Sequence, residues 1–392
     1  MTVLIGIPAS GEQETRSPIN GDVVKKLAAI GVRVLIQRGA TDASFATPES
    51  LGDVDWAETS AEVLRRADII WSIGNLSAED LAALRPGQLL MGLLTPYASA
   101  EHATALAATG ATAFAMELLP RISRAQSMDI LSSQGAASGY ECVLIAASRT
   151  PKFFPMLTYA AGTIRPARVL VIGAGVAGLQ AIATAKRLGS VVHGYDVRPE
   201  TREQVESLGA KFVNTGVSAA GAGGYARELT AEEKDQQAQA LAKAVAESDV
   251  LITTAAVPGK KAPVIVTRAM VEAMRPGSVV VDMAAEGGGN VEGTVAGKEM
   301  LVGGARVIGP VNLPARMPVH TSEMFAKNLL NFTSPMITDG ELAIDWTDDV
   351  IVGTALTHGG AVVHPGVAKV LGLEVSPIEP VNVPTTEEEA SA

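Results

Sequence analysis

The stretch VLVIGAGVAGLQAIATA, beginning at Val169, constrains the fold more than any other part of this 392-residue chain. It sets Gly173, Gly175 and Gly178 in a G-x-G-x-x-G pattern, after a β-branched run and at the opening of a helical one. The first glycine permits a tight turn, the second lets a diphosphate approach the backbone, and the third lets helix and strand pack closely. The helix opening at Val176 and Ala177 then favours the phosphate charge. The next such run, VVHGYD, ends on Asp196, 18 residues after Gly178. A carboxylate there can accept both ribose hydroxyls of a dinucleotide and would repel a 2′-phosphate. Val197 and Arg198 follow at the same rim. The expected ligand is NAD(H) rather than NADP(H), with Arg198 near enough to soften the preference. Ala256, Val257, Pro258 and Gly259 form a turn after a later strand, where ligands of open α/β sheets bind. Asn290 lies in the glycine-rich AAEGGGN. A ligand contact and a purely structural turn account for these last two features equally well.

Around this motif, short β-branched runs alternate with helical patterns. VLIGIP, VRVLIQ, DIIWSI, QLLMGLL and TAFAMEL read as buried strands separated by helices such as DVVKKLAAI and SAEVLRRA. The rhythm restarts at VLVIGAG and continues through VVHGYD, VLITTA, SVVVDM and ARVIGP. The predicted fold is α/β, with two doubly wound Rossmann-like domains of parallel sheet joined by two long connecting helices near 127–149 and 320–332. The expected division is 1–126 plus 333–380 for the first domain and 127–332 for the nucleotide-binding domain, connecting helices included. A disordered tail is expected over 381–392. The Gly-rich and then charged segment TGVSAAGAGGYARELTAEEKDQQ, 215–237, reads as a lid.

A net charge of −11 argues against nucleic acid or an anionic membrane surface as the main partner. The N-terminus MTVLIGIP has no basic region or cleavage site, so no signal peptide is expected. The longest uncharged run is too short for a membrane span and is broken by glycines, so no insertion is expected. The single cysteine, Cys142, sits in an apolar helical run and reads as a buried structural thiol. The five histidines are scattered and no metal-ligand spacing occurs. A dehydrogenase of hydroxy or amino acids needs a proton acceptor beside its substrate. From residue 27 to residue 151 there is no lysine, and the only histidine is His102, expected on a solvated helix face. Hydride transfer between two nicotinamides needs no acid or base, only positioning and exclusion of water.

The junction between the two patterns, PRISRAQSMDILSSQ, concentrates hydrogen-bonding groups in a chain poor in charge. With VIGAGVAGLQAIATAKRLG, EQVESLGAKF, GGYARE, PGKKAPV and FAKNLLNF, it makes the chain resemble the NAD(H)-binding component, domain I, of proton-translocating NAD(P) transhydrogenase, to about residue 370. The fold also resembles that of alanine dehydrogenase. Those enzymes lack RAQSMD and carry a lysine and a histidine in the first domain; here Ser72 and LLTPYA stand in their places. Glu14 and Arg16 are kept, followed by SP in place of the usual VA. The resemblance implies that Arg121, Asp129 and Ser132 hold the nicotinamide and its carboxamide. It implies that Gln126 reaches toward NADP(H) carried by a partner subunit, and that Gln126, Arg121 and Asp129 serve the transfer. Tyr225 resembles a mobile-loop tyrosine that closes over bound nucleotide. Arg124 is either structural or a partner contact.

The resemblance further implies a homodimer that works with NADP(H)-binding and membrane-spanning subunits. It would lie at the cytoplasmic face of the inner membrane as a separate peripheral subunit without direct insertion. Two other readings stand beside it. An alanine-dehydrogenase-like enzyme would turn over pyruvate, ammonia and NADH. A non-catalytic NAD-binding regulator would bind without passing hydride to any partner.

Overall fold

The computed structural model describes residues 2–217, 228–257, 259–376 and Ile378. The chain divides into two compact units, Met1–Leu131 with Pro318–Ala392 and Ser132–Met317. The expected tail at 381–392 and Tyr225 and Pro258 lie outside the described residues.

In the first unit, strands β1 (Leu4–Ile7), β2 (Arg33–Gln37), β3 (Asp55–Ala57), β4 (Ile69–Ile73), β5 (Leu89–Leu93) and β6 (Thr112–Ala115) form a parallel sheet in the order β3-β2-β1-β4-β5-β6. The order reverses between β1 and β4, as in doubly wound folds. Ile69, Ile70 and Trp71 are all fully buried, which is why these strands read as continuous apolar runs rather than alternating ones. The intervening helices start where a side-chain oxygen can take an orphan amide. Asn20, Thr59, Ser77 and Ser99 each cap one in this way.

The second unit opens with the long helix Ile130–Arg149, whose first two residues belong to the first unit, and a hairpin of β7 (Leu157–Tyr159) and β8 (Gly162–Ile164). Its sheet contains β9 (Arg168–Ile172), β10 (Val191–Tyr195), β11 (Lys211–Phe212), β12 (Val250–Thr253), β13 (Val279–Asp282), β14 (Glu299–Val302) and β15 (Ala305–Ile308), in the order β11-β10-β9-β12-β13-β15-β14. Side chains alternate between two cores. Val169, Val171, Val250, Ile252, Val279 and Val281 enter one layer, and Leu170, Ile172, Leu251 and Val280 enter the other. The sequence reading places no strand at Glu299–Val302. The segment adds an antiparallel edge to β15 across the turn Gly303–Gly304, and its half-exposed EMLV lacks the apolar density of a central strand.

The chain then returns to the first unit. Hairpin β16 (Ile337–Thr338) and β17 (Glu341–Leu342) precedes β18 (Ala355–His358) and β19 (Ala361–Val362), and β18 pairs antiparallel to β6. The helix Pro318–Thr333 differs from the expected division. It lies in the first unit because Phe325, Leu329 and Phe332, spaced at i, i+4 and i+7, enter the core built around β1, β4 and β5. Phe332 meets Phe114 edge to face at 5.4 Å. Both rings are buried, so Phe332→Ala is expected to cost about 3–5 kcal/mol, read as a lowered urea midpoint. An unchanged midpoint would contradict the place of this helix in the core.

Candidate functional site

In the second unit, β9 ends at a turn built around Gly173, whose φ of +95° suits glycine. The Gly173 amide donates to the Tyr195 carbonyl at 2.8 Å, tying the turn to the next strand. A Cβ on Gly173 would lie 2.6 Å from Thr254 Oγ1, and one on Gly178 would lie 1.7 Å from the Gly173 carbonyl oxygen. On Gly175 it would meet nothing within 4 Å. Two glycines are therefore demanded by the protein itself, and Gly175 keeps open the space beside the helix Val176–Arg187. Among the described residues, no side chain caps that helix. Its first amides are left for an outside acceptor, which fits a diphosphate. Val176 is exposed and Ala177 buried.

Asp196 follows β10 and is nearly buried. Its Oδ2 accepts from the Ala174 amide (2.8 Å) and Arg198 Nη2 (2.8 Å), and its Oδ1 accepts from the Arg198 amide and Nε (2.9 Å each). Burial pushes this carboxyl up, but the hydrogen bonds from Arg198 and the two amides outweigh it and hold the group below its usual range. Four donors saturate a carboxylate. A ribose reaching Asp196 would therefore have to replace part of the bonding that Arg198 and the Ala174 amide now supply. Val197, between them, is half-buried.

Asn290 is fully buried. Its Nδ2 donates to the carbonyls of Ala255 (2.7 Å) and Pro263 (2.9 Å), and its Oδ1 accepts from the Ala255 amide (2.9 Å). It is thus a brace for the turn that carries Ala256 and Val257. Its own position is set by Asp282, a buried carboxylate taking the amides of Asn290 and Val291 and the Thr253 hydroxyl. Sequence reasoning missed Asp282; the available signal was a charge ending the apolar run SVVVD. The expected lid, 215–237, lies outside the described residues over 218–227, and sequence reasoning also carried it through 231–237. Those residues open the helix Ala231–Ala246, capped reciprocally by Thr230 and Glu233, a T-x-x-E signature present in the sequence.

In the first unit, RAQSM forms part of a 3-10 helix, Ser123–Met128. Ala125 is buried in the core, with Ile122 and Met128 packed against it. Asn328 and Asn331 both donate to the Ser127 carbonyl at 2.9 Å. Arg124 forms a forked pair with Asp348 and also bonds Asp349, which ties the turn to the start of the helix Asp349–Thr354. These anchors leave Gln126 and Arg121 exposed, with Asp129 half-buried. Ser132 is half-buried near the start of the helix Ile130–Arg149.

At the carboxyl ends of β4 to β6, Ser72 is buried and donates to the Gly74 carbonyl at 3.0 Å. Arg16 is buried against Glu14, with Nε at 2.8 Å and Nη2 at 2.7 Å. His102 is half-buried rather than on a solvated face, and burial lowers its pKa. Sequence reasoning also missed Glu117, which accepts from the amides of Leu94 (3.2 Å) and Thr95 (2.7 Å). Desolvation raises it to about 7 against the pull of those amides.

Two sets of measurements follow from these geometries. Gly178→Ala should destabilise the protein by about 3 kcal/mol or more, since a backbone carbonyl blocks the methyl. Gly175→Ala should unfold normally yet weaken NADH binding about tenfold, read by fluorescence titration. Equal effects from the two would contradict the division of labour among the glycines. Glu117, raised above its unfolded value of 4.5, keeps a proton that the unfolded chain has released. Its contribution to stability is full below pH 4.5 and is lost as pH rises to about 7. Glu117→Gln should remove that slope from urea midpoints taken at about pH 5 and about pH 8. A slope unchanged in the variant would assign it to other groups.

Comparison with known proteins follows the same lines. Residues 6–138 match the family described as Alanine dehydrogenase/PNT, N-terminal domain, and residues 142–365 match Alanine dehydrogenase/PNT, C-terminal domain. A Rhodospirillum rubrum protein named as the first part of NAD(P) transhydrogenase subunit alpha is 45% identical over 365 residues, 90% of this chain and 95% of that one. The NAD(P) transhydrogenase subunit alpha of Haemophilus influenzae is 38% identical over 93% of this chain and 72% of its own. The crystal structure of transhydrogenase from Sinorhizobium meliloti superposes with a TM-score of 0.81 at 41% identity, covering 93% of this chain and 99% of that one. An L-alanine dehydrogenase shares the fold, with a TM-score of 0.79 at 23% identity over 94% of this chain and 99% of its own. With both halves matched, two Rossmann-like units in place and this level of identity, the chain belongs to the Alanine dehydrogenase/PNT family, as a transhydrogenase component of the alpha-subunit type.

Proposed function

We propose that this chain is the NAD(H)-binding component of a proton-translocating transhydrogenase, exchanging hydride between NADH held here and NADP⁺ held by a partner subunit. The observation that carries the reading is the polar 3-10 turn Ser123–Met128. Its buried and charged residues are consumed in anchoring it, and Gln126 is left facing outward. The dihydronicotinamide supplies the hydride. The chain's own residues supply position. The turn at Gly173–Gly178 takes the diphosphate on open amides. Asp196 takes the ribose in exchange for part of its bonding to Arg198. Arg121, Asp129 and Ser132 fix the carboxamide, whose donor and acceptor ends together select which ring face is offered. Gln126 meets the partner's nicotinamide. The sequence supplies no lysine from 27 to 151, and Arg16 is buried against Glu14, in keeping with a transfer that moves no proton at a substrate oxygen or nitrogen.

Further subunits complete the cycle in this reading: one carrying NADP(H), and one spanning the membrane and moving protons. This chain would be peripheral, at the cytoplasmic face. Among the described residues, no helix is long and apolar enough to cross a membrane. The relatives are named as alpha subunits, which supports assembly with other chains. A homodimer is supported by exposed apolar side chains at the hairpin β7–β8, where Tyr159 is 58% exposed and Met156, just before β7, 62%.

The test mixes the purified chain with a soluble NADP-binding transhydrogenase component, NADH and NADP⁺, and follows NADPH. Formation only in the mixture is expected. Gln126→Asn, which shortens the side chain by one methylene, should slow transfer about 10- to 100-fold while leaving NADH affinity nearly unchanged. A rate untouched by that substitution would remove Gln126 from the partner-facing role. No formation despite NADH binding and a competent partner would leave a regulator or a dehydrogenase.

A further inference from the structure

The amino-terminal end of the second unit's sheet holds a pocket that none of this chemistry uses. It encloses about 730 Å³, within the range of small-molecule sites. Arg168, Val191 and Lys211 are the first residues of β9, β10 and β11, so the pocket lies at the opposite end of these strands from Gly173 and Asp196.

Charge is concentrated there. Lys152, Arg165, Arg168, Lys211 and Arg275 line the pocket, in a chain whose net charge is −11. Asp249 is the single carboxylate in the lining, and it is buried and already engaged. It accepts from Lys152 at 2.5 Å, from Arg275 at 3.5 Å and from the Arg168 amide at 2.9 Å. Glu247 offsets Arg168 from outside at 3.0 Å. Five cations thus face two carboxylates. Arg165 and Lys211 are exposed and make no ion pair among the described residues. Arg168 Nε is buried and meets no hydrogen-bond partner among them, an unmade bond that ordinarily costs stability. His193 stands beside Lys211 in the sheet register. The remaining wall, which includes Phe153, Ile164 and Val191, is apolar.

Cations crowded together repel one another and gain nothing for the core. An incoming polyanion would relieve that repulsion, and an apolar wall suits an organic body attached to it. We infer that this pocket binds a phosphorylated small molecule, its phosphate on Arg165, Lys211 and Arg168 and its apolar part against Phe153 and Ile164. The inference does not depend on the dinucleotide site, since no residue is shared with that turn; Ile164 alone is shared with the hairpin β7–β8 that the proposed function offers as a dimer surface.

Inorganic pyrophosphate is the probe, titrated into the full chain already saturated with NADH, so that the dinucleotide site is filled. Binding is read by calorimetry and by the His193 imidazole proton resonance, assigned with His193→Gln. A saturable heat with a His193 shift on the same curve is expected. Arg165→Gln and Lys211→Gln should each weaken it about tenfold while leaving NADH affinity unchanged. Three results would overturn the inference: no saturable binding at millimolar pyrophosphate, equal binding by the doubly substituted chain, or capture of a glutamate-rich peptide in preference to pyrophosphate.

Discussion

The carbonyl of Gly173 is the point around which the second unit is built. The helix Val176–Arg187 approaches it so closely that a methyl on Gly178 would overlap it, and the Thr254 hydroxyl donates to it at 3.0 Å from the end of β12. Strand, helix and a second strand are therefore clamped on one backbone oxygen. The helix Ile130–Arg149 extends the clamp, because a Cβ on Gly139 would lie 1.9 Å from the Ala177 carbonyl. Packing at backbone contact distance fixes where the first amides of the helix point, and the chemistry of the turn inherits that precision.

The carboxyl ends of the same strands are braced by buried polar groups. Asp282 organises Asn290, and Asn290 holds the turn after β12 through three hydrogen bonds. Such networks hold one geometry when every member is satisfied. Asp196 and Arg198 form a second closed set at the end of β10. The Asn290 brace gives the turn after β12 a defined shape, which lowers the ordering cost of binding there, while the Asp196–Arg198 set must partly open.

Most of this was legible in the sequence. Unbroken β-branched runs declared buried parallel strands, and the glycine spacing with Asp196 declared the turn. What stayed hidden depended on partners distant in the chain. Nothing local in PVHTSEMFAKNLLNFT says which core Phe325, Leu329 and Phe332 enter. The strand Glu299–Val302 is an edge, so its burial pattern is weak. The saturation of Asp196 by Arg198 is a matter of rotamers, and the raised Glu117 reflects desolvation by elements far apart in sequence. The helix at Ala231 is a different case, since its T-x-x-E cap stands in the sequence and the reading of the Gly-rich segment did not use it.

The seating of the 3-10 turn Ser123–Met128 has a consequence for how the protein is made. Its anchors, Asn328, Asn331 and Asp348, lie 201, 204 and 224 residues downstream of the groups they hold. A chain emerging from the ribosome completes RAQSMD long before the segment that fixes it exists. The entire second unit is synthesised in the interval. The turn therefore lacks these three anchors until the returning segment has been made, and a chain cut short before residue 318 would keep the packing of Ile122, Ala125 and Met128 but none of the three.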